Sequence, residues 1–197
     1  MLTPWGYSID AESVPGIIDV ATFDDITGNR YAGDERVEPA IAAATASIRA
    51  YCGWHVAPVL ACDIVMDGER GDLWLPCVGL RSVESVEFDG VGQTVKGFNR
   101  LGRVRTDRPQ PLGGLGNVAV SYTAGFELDA TPDLADVIAQ RVVAAVALGS
   151  YGVASESAGG VSVSYGGAAL SDAGGAFIPD SVKAALAPYR LVKSHVA

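Results

Sequence analysis

The sequence predicts an α+β fold: a helical core of two long helices plus a C-terminal short helix, with an antiparallel β insert between the long helices. Three observations carry this reading. Val37, Ile41, Ala44, Ile48 and Tyr51 recur at steps of three and four, which places them on one face of a helix. Leu134, Val137, Ile138, Val142, Ala145 and Leu148 repeat that pattern further along. Between them, residues 58–124 change to short apolar alternations punctuated by glycine and aspartate. The expected division is an arm over residues 1–20, a helical core over 21–57 and 125–150, the β insert over 58–124, a Gly/Ser-rich extended segment over 151–176, and a C-terminal helix and tail over 177–197.

The elements follow in order. Pro4, Gly6, Pro15 and Gly16 leave the first residues without periodicity, hence an arm. Thr22 is the expected cap of a short helix over 23–29, with Asp25 completing a capping box. Asp34 is expected to open the first long helix, whose other faces are thinned by Ala40, Ala42, Ala43, Ala46 and Ala50. Gly53 fits the left-handed position past a helix end, and Pro58 begins extended chain. Val59 to Met66 reads as a strand, followed by a turn at Asp67-Gly68 to Gly71-Asp72 and a short strand at Leu73-Trp74-Leu75-Pro76. Val83, Val86 and Phe88 alternate imperfectly with Glu84 and Glu87 up to Asp89-Gly90. Gln93 to Phe98 and Arg103 to Thr106 form a hairpin around Asn99-Arg100-Leu101-Gly102, and Val118, Val120 and Tyr122 close an insert of about five or six strands. Thr131 caps the second long helix with Pro132 at its first position, and Gly149 ends it. Arg141 lies in or beside its apolar stripe and calls for a carboxylate or an interface. Val161, Val163 and Tyr165 make a strand that needs a partner edge. Pro179 begins the last helix, Asp180 to Ala187, closed by Pro188.

Composition narrows the function. The chain has 197 residues, 49% of them hydrophobic, enough for a substantial core. Its 14 basic and 23 acidic residues give a net charge of −9, the reverse of the usual balance in a nucleic-acid reader. The head is acidic, with eight acidic and two basic side chains over residues 1–40, while the tail carries Arg190 and Lys193. That polarity suits contact between copies or with an acidic partner. Cys52, Cys62 and Cys77 are odd in number and lack framework spacing, which argues for reduced thiols and folding in the cytosol. Met1 to Asp10 has no basic and apolar leader pattern, so no secretory signal is expected. No apolar run approaches the ~18 residues of a membrane span.

Each candidate site has a plainer reading beside it. Cys52-Gly53-Trp54-His55 spaces a thiol and an imidazole, and Cys62 and Cys77 could complete four zinc ligands. The paired short spacings of zinc sites are absent, so buried thiols and a junction histidine account better for them. Gly113-Gly114-Leu115-Gly116 contains a Gly-x-Gly, yet no helix start follows to face a phosphate. Only His55 and His195 could serve as a base at neutral pH, and no nucleophile elbow occurs. Asp24-Asp25 and Asp34-Glu35 are explained by helix starts. No catalytic residue, cofactor or metal is expected. Lys96, Arg100, Arg103, Arg105 and Arg108 set five cations against Asp107, either a surface for DNA or an acidic neighbour, or a solvated hairpin edge that discourages aggregation. Trp5, Trp54 and Trp74 read as packing residues; Trp5, in the arm, also suits an anchor between subunits.

Two stretches also carry a resemblance. Ile48-Arg49-Ala50-Tyr51-Cys52-Gly53-Trp54-His55-Val56-Ala57-Pro58 resembles the helix-ending stop of the head–tail connector (adaptor) proteins of tailed bacteriophages. Tyr122-Thr123-Ala124-Gly125-Phe126, then Thr131-Pro132-Asp133-Leu134, a helix and the Gly/Ser-rich run Gly149 to Gly167 follow in the order found in that family. The resemblance covers roughly residues 20–190 and brings no catalytic signature. It implies a structural protein of the virion neck, assembled in the host bacterial cytoplasm as a homo-oligomeric ring of twelve copies. It implies docking beneath the portal protein and joining to a stopper or tail-side ring, with DNA passing through without sequence-specific binding and no membrane involved. It further implies that the C-terminal segment reaches the portal, making Tyr189, Arg190, Leu191, Val192 and Lys193 the candidate contacts. A related neck or tail-completion protein is the alternative, and a small cytosolic α+β enzyme is the alternative of a different class.

Overall fold

The structure, a computed structural model, describes residues 1–69, 71–111, 114–148, 155–158, 161–164 and 178–191. The chain divides into two compact units. The first joins Met1–Pro15, Cys52–Glu127 and Tyr189–Ala197; the second joins Gly16–Tyr51 and Leu128–Pro188.

The first unit is built of antiparallel strands: β1 (Tyr7–Ile9), β2 (Leu60–Met66), β3 (Leu73–Trp74), β4 (Leu80–Phe88), β5 (Val91–Gly92), β6 (Val95–Phe98), β7 (Arg103–Thr106) and β8 (Val118–Ala124). Five of them form one sheet in the order β1-β2-β8-β4-β5, and three form a second in the order β3-β7-β6. Pairing follows the alternation of the residues. Cys62 faces Tyr122 and Ile64 faces Val120 across β2 and β8, and all four are buried. A one-residue slip would turn that apolar set outward, so the register is strongly specified. Asp89 and Gly90 both take positive φ, 50° and 75°, the geometry of the two-residue turn that joins β4 to β5.

The second unit carries the helices α1 (Val20–Thr27), α2 (Val37–Cys52, its last residue already in the first unit), α3 (Pro132–Leu148) and α4 (Asp180–Leu186). Within it, α3 packs against α1 and α4. Ile41, Ala44 and Ile48 of α2 and Leu134, Ile138 and Val142 of α3 are buried, as their spacing predicts; Val146, outside the expected stripe, is buried as well, while Val137 and Ala145 are half-buried. A two-stranded ribbon, β9 (Ser155–Ala158) with β10 (Val161–Ser164), gives the strand at Val161 its partner edge. Tyr165 lies outside the described residues, as does Gly149, the expected end of α3. No described helix is long and apolar enough to cross a membrane.

This architecture corrects the expected fold class. The protein is not a helical core of two long helices bearing an insert. Eight strands in two antiparallel sheets dominate, and the four described helices have 8, 16, 17 and 7 residues. At about 1.5 Å per residue the longest spans only about 26 Å. The physical reason lies at the chain ends. Tyr7–Ile9, in the stretch read as an arm, pairs with Cys62–Ile64, and Leu191 N–H donates to the Cys52 carbonyl at 2.9 Å. Tyr7–Ile9 and the segment Tyr189–Leu191 therefore both enter the β unit. The described residues of 58–124 hold seven strands rather than five or six, because the two-residue strands are too short to show as alternation.

Local corrections are smaller. Helix α1 is capped by Asp19, which accepts the Thr22 N–H at 2.8 Å, rather than by Thr22. Asp34 accepts the Arg36 N–H at 3.0 Å in a turn just before α2 instead of lying within the helix. Gly53 has φ 82°, the left-handed stop its position predicts. Pro132 is the first residue of α3, also as expected.

Candidate functional site

The hairpin β6–β7 is the basic surface singled out by the sequence. Its turn is shaped by Asn99, whose side-chain oxygen accepts the N–H groups of Leu101 at 3.0 Å and Arg103 at 3.1 Å. The Asn99 N–H in turn donates to the Arg103 carbonyl at 2.9 Å. Val104 is buried at the centre of β7, so Arg103 and Arg105 on either side of it project outward. Both guanidinium groups reach Asp72: Arg105 Nε donates at 3.2 Å, and Arg103 makes a closer ion pair. The Arg105 hydrogen bond, with that of Arg103, holds the Asp72 carboxyl below the usual carboxylate range, against a desolvation that opposes it. Arg103 also lies over the Trp74 ring at 5.7 Å, and Arg100 over the Phe126 ring at 6.0 Å. A shallow hollow of about 220 Å³ opens among Asp72, Lys96, Phe98, Arg103 and Arg105. Of the five candidate residues, Lys96, Arg103 and Arg105 line this hollow, with Arg103 and Arg105 answered by Asp72; Arg100, at the turn, and Arg108, beyond β7, are exposed.

A second charged surface lay in the sequence without being singled out. The open face of the five-stranded sheet carries Asp63, Glu84 and Glu87, all exposed. Ser121 donates to Asp63 at 2.6 Å, and Thr123 donates to Glu84 at 2.9 Å, so neighbouring hydroxyls orient the carboxylates. The signal was present in Glu84 and Glu87 between apolar residues. Two register shifts in the pairing of β4 with β8 break strict alternation there and obscured which face these residues share.

The C-terminal candidates separate. Tyr189 is buried at 7% exposure; its carbonyl accepts the Trp54 indole N–H at 2.6 Å, and its ring meets Phe126 edge-on at 5.1 Å. It is a core residue, so its side chain is not offered to a partner. Leu191 is half-buried, with its side chain 3.7 Å from where a Cβ on Gly53 would lie. Arg190 is exposed, and Val192 and Lys193 lie outside the described residues.

The cysteine and histidine candidates resolve into core structure. Burial pushes each of the Cys52, Cys62 and Cys77 thiols up to about 12, so they are protonated at neutral pH. His55 is buried with both ring nitrogens engaged. Nε2 lies 3.1 Å from the Ala124 carbonyl and must donate to it, leaving Nδ1 to accept the Tyr7 hydroxyl at 2.6 Å. The Tyr7 oxygen accepts the His55 backbone N–H at 3.1 Å. This pair locks β1 to the helix–sheet junction. Among the described residues no group of three His, Cys, Asp or Glu is placed to hold a metal. The Gly-x-Gly loop leads into strand β8 rather than a helix, and Gly116 N–H donates to Asp67 at 2.6 Å. Trp5 stacks on Tyr7 of its own chain at 5.9 Å. His195 lies outside the described residues.

The fold is similar to that of chains in gene transfer agent (GTA) particles. One is from the neck of a native GTA particle computed with C12 symmetry: 17% identity, TM-score 0.57, over 95% of this chain and 96% of that one. A second, from the neck of an empty GTA particle computed with C6 symmetry, has 19% identity and TM-score 0.57 over the same shares. A third, from the virion of a native GTA particle, has 18% identity and TM-score 0.59, again covering 95% and 96%. At this identity the likeness is one of fold. No protein-family model matches the sequence, and no curated protein matches it.

Proposed function

We propose that this chain is a head–tail connector (adaptor) of a tailed phage or phage-like particle, forming a ring of twelve copies in the virion neck. The observation that carries the reading is the end-to-end likeness of fold, over 95% of this chain, to chains from the necks of GTA particles. The Tyr-Cys-Gly-Trp stop and the Tyr-Thr-Ala-Gly-Phe stretch point the same way. In this reading the ring docks beneath the portal, joins it to a stopper or tail-side ring, and lets DNA pass without reading its sequence. The role is geometric rather than catalytic. The locked tautomer of His55 and the protonated, buried thiols support that, since a base or nucleophile needs access and a suitable pKa. Arg190, with Val192 and Lys193 beyond it, is the proposed portal contact, while Tyr189 and Leu191 anchor that segment to Trp54 and Cys52. The cations of the β6–β7 hairpin face either the channel or an acidic neighbour.

Deleting the coding sequence from the particle that encodes it tests the reading. The expected product is DNA-filled heads without tails, and adding the purified protein to those heads restores joining to tails. Normally tailed particles from the deletion would overturn the proposal.

A further inference from the structure

Two exposed surfaces of the first unit have opposite chemistry. The open sheet face presents Asp63, Glu84 and Glu87 on β2 and β4, with Val65 at 65% exposure among small residues. Across β2, β8 and β4 the one basic residue is Arg81, at the start of β4, and it pairs with Glu127 at 3.4 Å. The β6–β7 hairpin presents Lys96, Arg100 and Arg108 as exposed cations, with Phe98 at 45% and Leu101 at 61% exposure beside them. Strand β6 is also the edge of its sheet.

We propose that the β6–β7 hairpin of one copy docks on the open sheet face of the next copy, a contact repeated around the ring. The proposal rests on the ring reading above. Charge decides the pairing. Face against face would oppose three carboxylates to three, and hairpin against hairpin would oppose cations to cations. Only hairpin against face matches the signs, and it also sets Phe98 and Leu101 against Val65. Such a contact joins two different patches, so it propagates from copy to copy and closes when the rotation closes.

DNA is the other acidic occupant the hairpin could take, and the geometry disfavours it. Asp72 sits between Arg103 and Arg105, answering both guanidinium groups and setting a carboxylate where a phosphate would approach. A protein surface offers an apolar counterpart for Phe98 and Leu101, which a phosphate backbone does not.

The size of the patch sets the kind of contact. Three strands about 4.8 Å apart, each about seven residues of about 3.4 Å, present roughly 300 Å². That is well below the ~800 Å² per partner of a stable stand-alone interface. The contact is therefore weak in isolation, sensitive to salt, and effective when every copy in a ring makes it twice.

Reversing charges in a mixing experiment tests this. One variant carries Lys96→Glu and Arg100→Glu; the other carries Glu84→Lys and Glu87→Lys. Sedimentation at millimolar protein and low salt reads self-association of the full chain. Each variant alone is expected to lose about tenfold or more in association relative to the parent. Their equimolar mixture is expected to regain it, because each then presents the complement of the other, and regain in the mixture also shows that both are folded. If both variants associate as the parent does, the contact is wrong and the ring is held by another surface. If the mixture fails to regain association while both melt like the parent, the contact is also wrong. A parent chain that stays monomeric under these conditions overturns the contact, while the ring reading is then decided by the deletion experiment above. If the parent binds a short DNA duplex, and the hairpin variant loses that binding while associating normally, the hairpin belongs to nucleic acid and the proposal falls.

Discussion

Cutting the chain before Tyr189 should be far more damaging than cutting it after Leu191. The shorter chain loses a phenol ring buried at 7% exposure, for which large-to-small changes of aromatic residues cost about 3–5 kcal/mol. It also loses the carbonyl that accepts the Trp54 indole N–H at 2.6 Å. Trp54 is itself fully buried, so its donor is left without that acceptor at a cost of about 1–3 kcal/mol. The Leu191 to Cys52 backbone bond adds about 1 kcal/mol. The contributions are not independent, and a combined loss of about 5–7 kcal/mol is the scale to expect, comparable with the whole stability of many domains. In thermal terms that is a drop in melting temperature of about 10–25 °C. A chain ending at Leu191 keeps every one of these contacts and should melt well above the shorter chain. Calorimetry, with Trp54 fluorescence as a second probe, makes the comparison. Similar melting of the two truncated chains would refute the reasoning and put the anchor of this segment elsewhere.

Three further outcomes follow from local geometry and electrostatics. Gly53→Val should melt below Ala50→Val, because residue 53 holds φ 82° at a cost of about 1–3 kcal/mol for a branched side chain, while Ala50 is exposed on α2; equal melting would mean residue 53 relaxes freely. The Asp34 carboxyl should titrate near 2 by NMR, lowered by its hydrogen bonds from Arg36, and a midpoint at the ordinary 3.8 would refute the pairing. A depressed carboxylate stabilises the fold above its unfolded pKa, so Asp34 contributes above about 3.8 and loses its contribution as pH falls toward 2; Asp34→Asn should flatten the stability profile in that window. All three cysteines should resist a thiol reagent at pH 8 in the native protein and react fully once it is unfolded, since burial pushes each up to about 12; rapid labelling of the folded chain would count against that burial.

The sequence was legible wherever a few neighbouring residues settle the outcome. The helical stripes of α2 and α3, Pro132 at a first turn, Gly53 past a helix end, and the Asn99–Gly102 hairpin depend on backbone preferences within one or two turns of chain. Where two residues competed for one local role, the reading slipped by three residues, as when Asp19 took the cap expected of Thr22. The basic hairpin was legible as a set of charges; that Asp72 answers Arg103 and Arg105 was not, because it comes from 31 and 33 residues away.

Fold class depended on such distant pairings. Alternation within 58–124 announced strands, but nothing near Tyr7 announced that it would extend the same sheet and lock to His55, 48 residues on. Nor did the tail announce that the Tyr189 carbonyl would meet Trp54 across 135 residues. By itself the sequence determined the local elements, the charge polarity and the absence of a recognisable catalytic motif. The tertiary structure alone decided that Tyr7–Ile9 and Tyr189–Leu191 join the β unit and that Tyr189 is core while Arg190 is surface. It also decided that Asp63, Glu84 and Glu87 share one open face. Local conformation follows from short-range sterics and hydrogen bonds, whereas sheet partners and burial follow from which distant apolar faces can close together at the least cost in chain entropy.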